Sequence, residues 1–184
     1  MAAVRKRLRY SAVAQCLHWL TAILVVVAFV YGPGGSEQRV YSLAKEFDRQ
    51  LHETLGLSVL TITLIRLTWR LSDAKPDPPP IPPWMERLSS LFHWILYILL
   101  VVVPLTAITG AWLEGHPLTL LYNVRIGPLL AESHELGRTI ASIHTWLGDA
   151  ILWVAGAHAA AALFHHFVLR DGVLRSMLPG RSDA

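Results

Sequence analysis

The sequence contains one cysteine, Cys16, among its 184 residues. A single cysteine cannot form an internal disulfide, and the C-x-x-C-H motif for covalent haem attachment needs two. Charge is also scarce, since Asp, Glu, Lys and Arg together make up 16% of the chain. The net charge is only +3, so the composition does not indicate a nucleic-acid-binding protein. Hydrophobic residues, by contrast, account for 53%.

These hydrophobic residues collect in four long stretches rather than in the short periodic runs of a soluble protein. The stretches cover residues 12–31, 51–71, 90–113 and 143–169. Each is close to the ~20 residues that a helix needs to cross a ~30 Å hydrocarbon layer. The sequence therefore predicts an all-α integral membrane protein, a four-helix bundle forming one domain over residues 1–184. The first stretch follows a basic segment, as a signal peptide does, but it is as long as a full span and contains His18.

The distribution of the sixteen lysines and arginines predicts how the bundle is oriented. One side of the membrane would carry eleven of them: Arg5, Lys6, Arg7, Arg9, Arg66, Arg70, Lys75, Arg87, Arg170, Arg175 and Arg181. The other side would carry five: Arg39, Lys45, Arg49, Arg125 and Arg138. Because cytoplasmic loops are enriched in Lys and Arg, both termini are expected in the cytoplasm.

Four of the nine histidines form two pairs by depth. The predicted helix directions place His18 and His158 near the cytoplasmic face, and His52 and His144 near the outer face. His144 and His158 are fourteen residues apart, which is about 21 Å along a helix and returns to nearly the same helical face. Histidines on facing helices of a bundle can hold a haem by its iron. The pattern predicts two haem sites, one in each leaflet.

The residues around these histidines suggest how a haem is accommodated. The residues four positions after them are Ala22, Gly56, Gly148 and Ala162. All are small, which leaves room for a flat porphyrin, although small residues also mark ordinary contacts between membrane helices.

Arginine side chains are the candidates for contacts with the haem propionates. Arg66 faces the inner pair, and an arginine inside a membrane helix suggests a function. It either binds a propionate there or extends to the lipid headgroups. At the outer pair, the candidates Arg49, Arg125 and Arg138 cannot be separated.

The chain resembles the prokaryotic cytochrome b561 family along its whole length. The resemblance is carried by "CLHWL", "HETLGLSVLTITLIRLTWRL", "HWILYILLVVVPLTAITGAW" and "HTWLGDAILWVAGAHAAAALFHHFVLRDGVLRSMLPG". It implies two non-covalent haems b, with His18, His52, His144 and His158 as the axial ligands. These are the residues that the depth argument selects. The resemblance is greatest to the superoxide oxidase type of that family, which would oxidise superoxide at the periplasmic haem and reduce ubiquinone near the cytoplasmic one.

The same family includes cytochrome b subunits that link a dehydrogenase or hydrogenase to the quinone pool. This second function remains open, although the chain shows no partner domain, which favours a stand-alone oxidoreductase. The expected location is the bacterial inner membrane, with lipid, quinone and a periplasmic electron donor as partners. A Zn²⁺ or Cu⁺ transporter is disfavoured, because the histidines form two separate layers without neighbouring sulfur ligands apart from Cys16.

The remaining histidines have less defined roles. His165 lies on nearly the same helical face as His158 and is the candidate for binding a quinone carbonyl and delivering a proton. It is otherwise an interfacial histidine hydrated among headgroups. His93 is expected to pack against the inner site rather than bind iron, and it could border the quinone pocket. His116 and His134 are expected to be ordinary loop histidines.

Overall fold

The computed structural model describes residues 9–73, 76 and 81–180. Four helices are long and apolar enough to cross a membrane: α1 (Ala12–Tyr31), α3 (Glu46–Ser72), α4 (Pro83–Leu113) and α5 (His134–Phe164), with α5 continuing as a π-helix over His165–Leu169. Two short helices, α2 (Glu37–Val40) and α6 (Val173–Ser176), follow α1 and the π-helix respectively. The protein is mostly helical, as the sequence predicts.

The long helices extend beyond the predicted stretches, except for α1. Helix α3 begins five residues earlier than position 51, and acidic Glu46 and Asp48 occupy its first turn, where the helix dipole favours negative charge. Helix α4 begins at Pro83 rather than 90, because proline is well suited to the first helical position. Helix α5 begins at His134 rather than 143. Hydrophobicity marks only the part of a helix inside the membrane, so it does not reveal these polar first turns.

Helix α1 packs against α3 and α4 packs against α5, while α3 and α4 join the two pairs. Glycine permits the close approach of α4 and α5, since a Cβ at Gly110 would lie 3.3 Å from the Ala141 backbone nitrogen. The buried apolar core consists of Val59, Leu99, Leu100 and Ile151. Ile151 is seven residues from both His144 and His158, so this apolar layer lies midway between the two predicted haem levels.

The loop between α4 and α5 contains a small hairpin that the sequence did not predict. Strands β1 (Leu118–Thr119) and β2 (Arg125–Ile126) pair antiparallel, with Leu118 opposite Ile126. Side chains of α3 hold the hairpin, because the Thr54 hydroxyl accepts from the Leu121 amide at 2.9 Å and the Glu53 carboxylate accepts from the Thr119 amide.

At the opposite end of the bundle, α6 returns to the start of α1. The Gln15 amide nitrogen donates to the Ser176 carbonyl at 3.1 Å, and the Trp19 indole donates to the Met177 carbonyl at 2.8 Å. The beginning and the end of the described chain therefore lie at the same end of the bundle. Five of the cations used to predict orientation lie outside the described residues: Arg5, Lys6, Arg7, Lys75 and Arg181.

Candidate functional site

The sequence assigns His52 and His144 to an outer pair and His18 and His158 to an inner pair, and these names are kept for the two sites. The outer pair is brought together between α3 and α5. The ring centres of His52 and His144 are 6.0 Å apart, and their planes are inclined at 82°. Each ring is held through Nδ1, which donates to a backbone carbonyl: His52 to Ala28 at 2.7 Å and His144 to Val103 at 3.0 Å. With the proton fixed on Nδ1, the lone pair of Nε2 is free to bind a metal.

The Ala28 carbonyl is available to His52 for a local reason. Ala28 lies in the last turn of α1, and the carbonyls of a final helical turn have no amide partner further along the helix. A helix end therefore supplies the acceptor that fixes the imidazole. The sequence could not identify these acceptors, because a backbone carbonyl carries no sequence signature.

A pocket opens beside the outer pair, and all four long helices line it. Its lining includes both histidines together with Gly56 and Gly148. A Cβ added at either glycine would meet no atom within 4 Å. These glycines therefore do not mediate a close contact between helices, which was the alternative explanation for the small residues at these positions. They border open space.

The inner site contains three histidines rather than two. The ring centres of His18 and His158 are 6.4 Å apart, at an interplanar angle of 80°. His93 of α4 also joins them, with its ring centre 5.1 Å from that of His158. The Nδ1 of His93 donates to the Ser89 carbonyl at 2.6 Å, whereas the Nδ1 of His18 is buried without a partner.

Arg66 lies near this inner cluster. Its guanidinium carbon lies 5.4 Å from the centre of the Tyr97 ring, and Tyr97 follows His93 by one turn of α4. The described residues provide Arg66 with no hydrogen bond or ion pair. The same ring lies 5.4 Å from the guanidinium of Arg70, which also donates to the Tyr97 hydroxyl.

Of the three arginines considered for the outer pair, Arg49 is the one that is half-buried. It forms an ion pair with Glu53 at 3.1 Å, and its Nε is buried without an acceptor. Glu53 lines the pocket that contains His52. Arg125 and Arg138 are exposed. The structure therefore distinguishes candidates that the sequence could not separate.

His165 pairs with an acid that the sequence pattern does not reveal. Its Nδ1 lies 2.5 Å from Oδ2 of Asp171, and both side chains are mostly buried. The other carboxylate oxygen of Asp171 accepts from the Val173 amide at 3.0 Å. The residue between Asp171 and the π-helix, Arg170, adopts a left-handed conformation with φ 54°. This reversal of the chain brings Asp171 back to His165, and helical spacing alone could not reveal it.

The residues at both levels fit a haem held by two histidines. Two imidazoles that would hold one metal ion between them have ring centres roughly 6.2 Å apart, given a metal–nitrogen bond of about 2 Å and about 1.1 Å from nitrogen to ring centre. The observed separations are 6.0 and 6.4 Å. The open space beside Gly56 and Gly148 fits a planar group. Arg66, which has no ion-pair partner among the described residues, fits carboxylates carried by such a group.

Comparisons with known proteins agree with this site. The model of a family described as prokaryotic cytochrome b561 matches residues 9–180. Cytochrome b561 homolog 1 of Escherichia coli (strain K12) is 32% identical over 182 residues, covering 94% of this chain and 98% of the relative. A probable superoxide oxidase, CybB of Yersinia pestis, is 27% identical over 93% of this chain and 96% of the relative. Cytochrome b562 of Cereibacter sphaeroides is 28% identical over 94% and 96%.

Proposed function

The chain belongs to the prokaryotic cytochrome b561 family, and we propose that it carries electrons across the bacterial inner membrane from superoxide to ubiquinone. Membership of the family implies electron transfer and haem b. The observation that carries the finer proposal is the presence of two histidine pairs at opposite levels of one bundle. A relative named as a probable superoxide oxidase supports the choice of donor.

In this proposal each pair holds one non-covalent haem b. His52 and His144 are the outer ligands, and His18 and His158 are the inner ligands. Bound haem supplies a reversible one-electron centre, and two histidine ligands leave the iron no open position for oxygen. The protein contributes fixed rings, since the Ala28 and Val103 carbonyls hold the outer imidazoles in the tautomer that presents Nε2.

Arginines provide the charge that the propionates require. Arg66 has no acidic partner among the residues described, so a propionate at the inner site would supply one. Arg49 would serve the outer site through its buried Nε, which lacks an acceptor. A charge-assisted hydrogen bond from guanidinium to carboxylate is among the stronger polar contacts in proteins.

The quinone would be reduced at the inner end of the bundle, beside His165. Asp171 holds Nδ1 of His165, which leaves Nε2 to contact a quinone carbonyl and to transfer a proton. A cavity lined by Ile81, Met85 and Leu169 adjoins Asp171 and offers apolar walls for such a ring. His93 borders the inner histidines from α4 and is proposed as a packing partner rather than an iron ligand.

Superoxide would donate its electron at the outer end. Lys45 and Arg49 are neutralised there by ion pairs. Three cations, Arg39, Arg125 and Arg138, are exposed and form no ion pair with any residue in the described ranges. An anion would be attracted by these three groups, even though acidic residues are more numerous in the outer loops.

Stopped-flow absorption of the purified holoprotein tests the proposal. Superoxide supplied as potassium superoxide in an aprotic solvent should reduce the haem in the anaerobic mixing chamber, and a short-chain ubiquinone should reoxidise it. The reduction should disappear when superoxide dismutase is added. Reoxidation by quinone without any reduction by superoxide would refute the superoxide step and favour an electron-carrier subunit for a dehydrogenase. A protein without haem would refute the site itself.

A further inference from the structure

A cluster of three metal-binding side chains lies at the outer end of the bundle, apart from the histidine pairs. It consists of Glu37 of α2 together with Glu114 and His116, which follow α4. One potential ligand atom from each residue lies within 4.8 Å of the other two. Glu37 and His116 already touch, with 2.9 Å between the carboxylate oxygen and Nε2.

The end of α4 explains why two of these residues point the same way. Gly115 has φ 82°, a left-handed conformation that glycine adopts readily and that commonly ends helices. The chain turns back at this glycine, and the His116 amide donates to the Ala111 carbonyl at 2.9 Å. The His116 ring is then fixed by stacking on Tyr41, with ring centres 3.6 Å apart.

Glu114 is the unusual member of the cluster. Its exposed fraction is 8%, and no hydrogen bond or ion pair to its carboxylate is found in the described part of the chain. Helix α5 accommodates its side chain because Gly137 lacks a Cβ, which would come 2.7 Å from the Glu114 Cγ. Burial and the nearby Glu37 raise the pKa of Glu114 above its ordinary value. The burial of this residue limits the hydration of its carboxylate, and that is costly when no partner is present.

A divalent cation would remove this cost. Two carboxylates and one imidazole are typical ligands of Zn²⁺, at about 2.0–2.2 Å, with a fourth position left to water. Ligand atoms around such an ion are roughly 3.4 Å apart, so the three side chains need only small rotations to reach one ion. Sulfur ligands are absent from the cluster, which disfavours Cu⁺, and the imidazole disfavours Mg²⁺ and Ca²⁺.

We propose that Glu37, Glu114 and His116 form a binding site for a divalent transition-metal ion of the zinc type at the outer face. The ion would join α2 to the turn that leads into the β1–β2 hairpin. It would therefore stabilise the loops that cover the outer end of the bundle. This site is independent of the haems and of the electron donor.

Titration calorimetry of the haem-loaded protein with Zn²⁺, after dialysis against a chelator, tests the site. The expected result is one saturable equivalent per chain and a higher melting temperature with Zn²⁺. Glu114→Gln and His116→Gln should each weaken binding at least about tenfold, the lower end of the loss seen when a supporting metal contact is removed. His134→Gln is the matched control, because His134 is an exposed histidine outside the three-residue cluster, and its Nε2 lies 3.9 Å from Glu132.

Cu²⁺ bound at the same site provides a direct measure of the ligands. Its electron paramagnetic resonance spectrum should show nitrogen hyperfine structure that His116→Gln removes and His134→Gln preserves. The haem absorption spectrum reports whether each variant is folded. Wild-type affinity for Zn²⁺ in both Glu114→Gln and His116→Gln, or a wild-type titration without saturation near one equivalent, would overturn the proposal.

Discussion

Replacing Gly148 with leucine should weaken binding of the outer haem while leaving the protein folded. Gly148 lies four residues after His144, on nearly the same face of α5, and lines the pocket of the outer pair. A Cβ at this position meets no protein atom within 4 Å, so the protein itself accommodates a side chain. Only a bound planar group would collide with the added atoms.

The size of the effect follows from two opposing contributions. Leucine has a higher helix propensity than glycine by about 0.8 kcal/mol, which stabilises α5 slightly. Forcing extra carbon atoms into an occupied site costs about 1–3 kcal/mol. That cost corresponds to a roughly 5- to 150-fold loss of haem affinity. Gly148→Ala adds a single carbon, so its loss of haem affinity should lie at the lower end of this range or below it.

A pyridine haemochrome assay per mole of chain measures the result. Two haems are expected in the wild type, and the haem content of Gly148→Leu should fall toward one after dialysis. Gly156→Leu is the matched control, because Gly156 lies on the same helix, also faces open space, and precedes His158 by two residues, which puts it on the opposite face. Retention of both haems by Gly148→Leu, or an equal loss in Gly156→Leu, would refute the reasoning.

Three further predictions follow from the polar contacts. Arg66→Gln should lower the potential of the inner haem by tens of mV, since a tenfold change in a one-electron equilibrium is about 59 mV. Redox titration measures this shift, with the exposed Arg87→Gln variant as the control. Unchanged potentials in Arg66→Gln would contradict the propionate contact. His165→Ala should slow reoxidation of the haem by quinone at least about tenfold, with an intact haem spectrum. Asp171→Asn should have a smaller effect in the same stopped-flow assay. Wild-type rates in both variants would exclude His165 and Asp171 from the quinone site. Glu53→Gln should destabilise the outer hairpin by about 1–3 kcal/mol, because a part-buried amide loses its charged acceptor. Amide hydrogen exchange at Thr119 and Leu121 should then be faster in this variant but not in the exposed Glu135→Gln control. Unchanged protection of these amides would show that the contact is dispensable.

The sequence was sufficient for the main features of the fold and for the histidine pairs. Four apolar stretches of spanning length have few alternatives in a membrane, and helical periodicity then fixes which residues share a face. His144 and His158 could therefore be assigned to one face and two levels from their spacing alone. The start of α5 at His134 could not be predicted, because the polar turns that precede position 143 resemble a loop in hydrophobicity.

The contacts that sequence reasoning missed depend on chain reversals. Asp171 reaches His165 through the left-handed Arg170, and His116 reaches Glu37 through the turn at Gly115. Both reversals join residues whose separation follows no helical period. His116 was expected to be an ordinary loop histidine, and only the neighbouring carboxylates distinguish it from one.

The apolar layer of Val59, Leu99, Leu100 and Ile151 has a consequence for the energetics of the cell. These four side chains carry no group that could relay a proton, so an electron that crosses between the two levels would move a charge that this layer does not compensate. The levels are about 21 Å apart in a hydrocarbon layer of ~30 Å, roughly 70% of its thickness. In the proposed orientation the electron moves inward, toward a negative interior. A charge that crosses the full thickness costs about 2.3 kcal/mol per 100 mV, so crossing roughly 70% of it costs about 1.6 kcal/mol per 100 mV. The protein would work as a voltage-sensitive element, running more slowly in a strongly energised membrane.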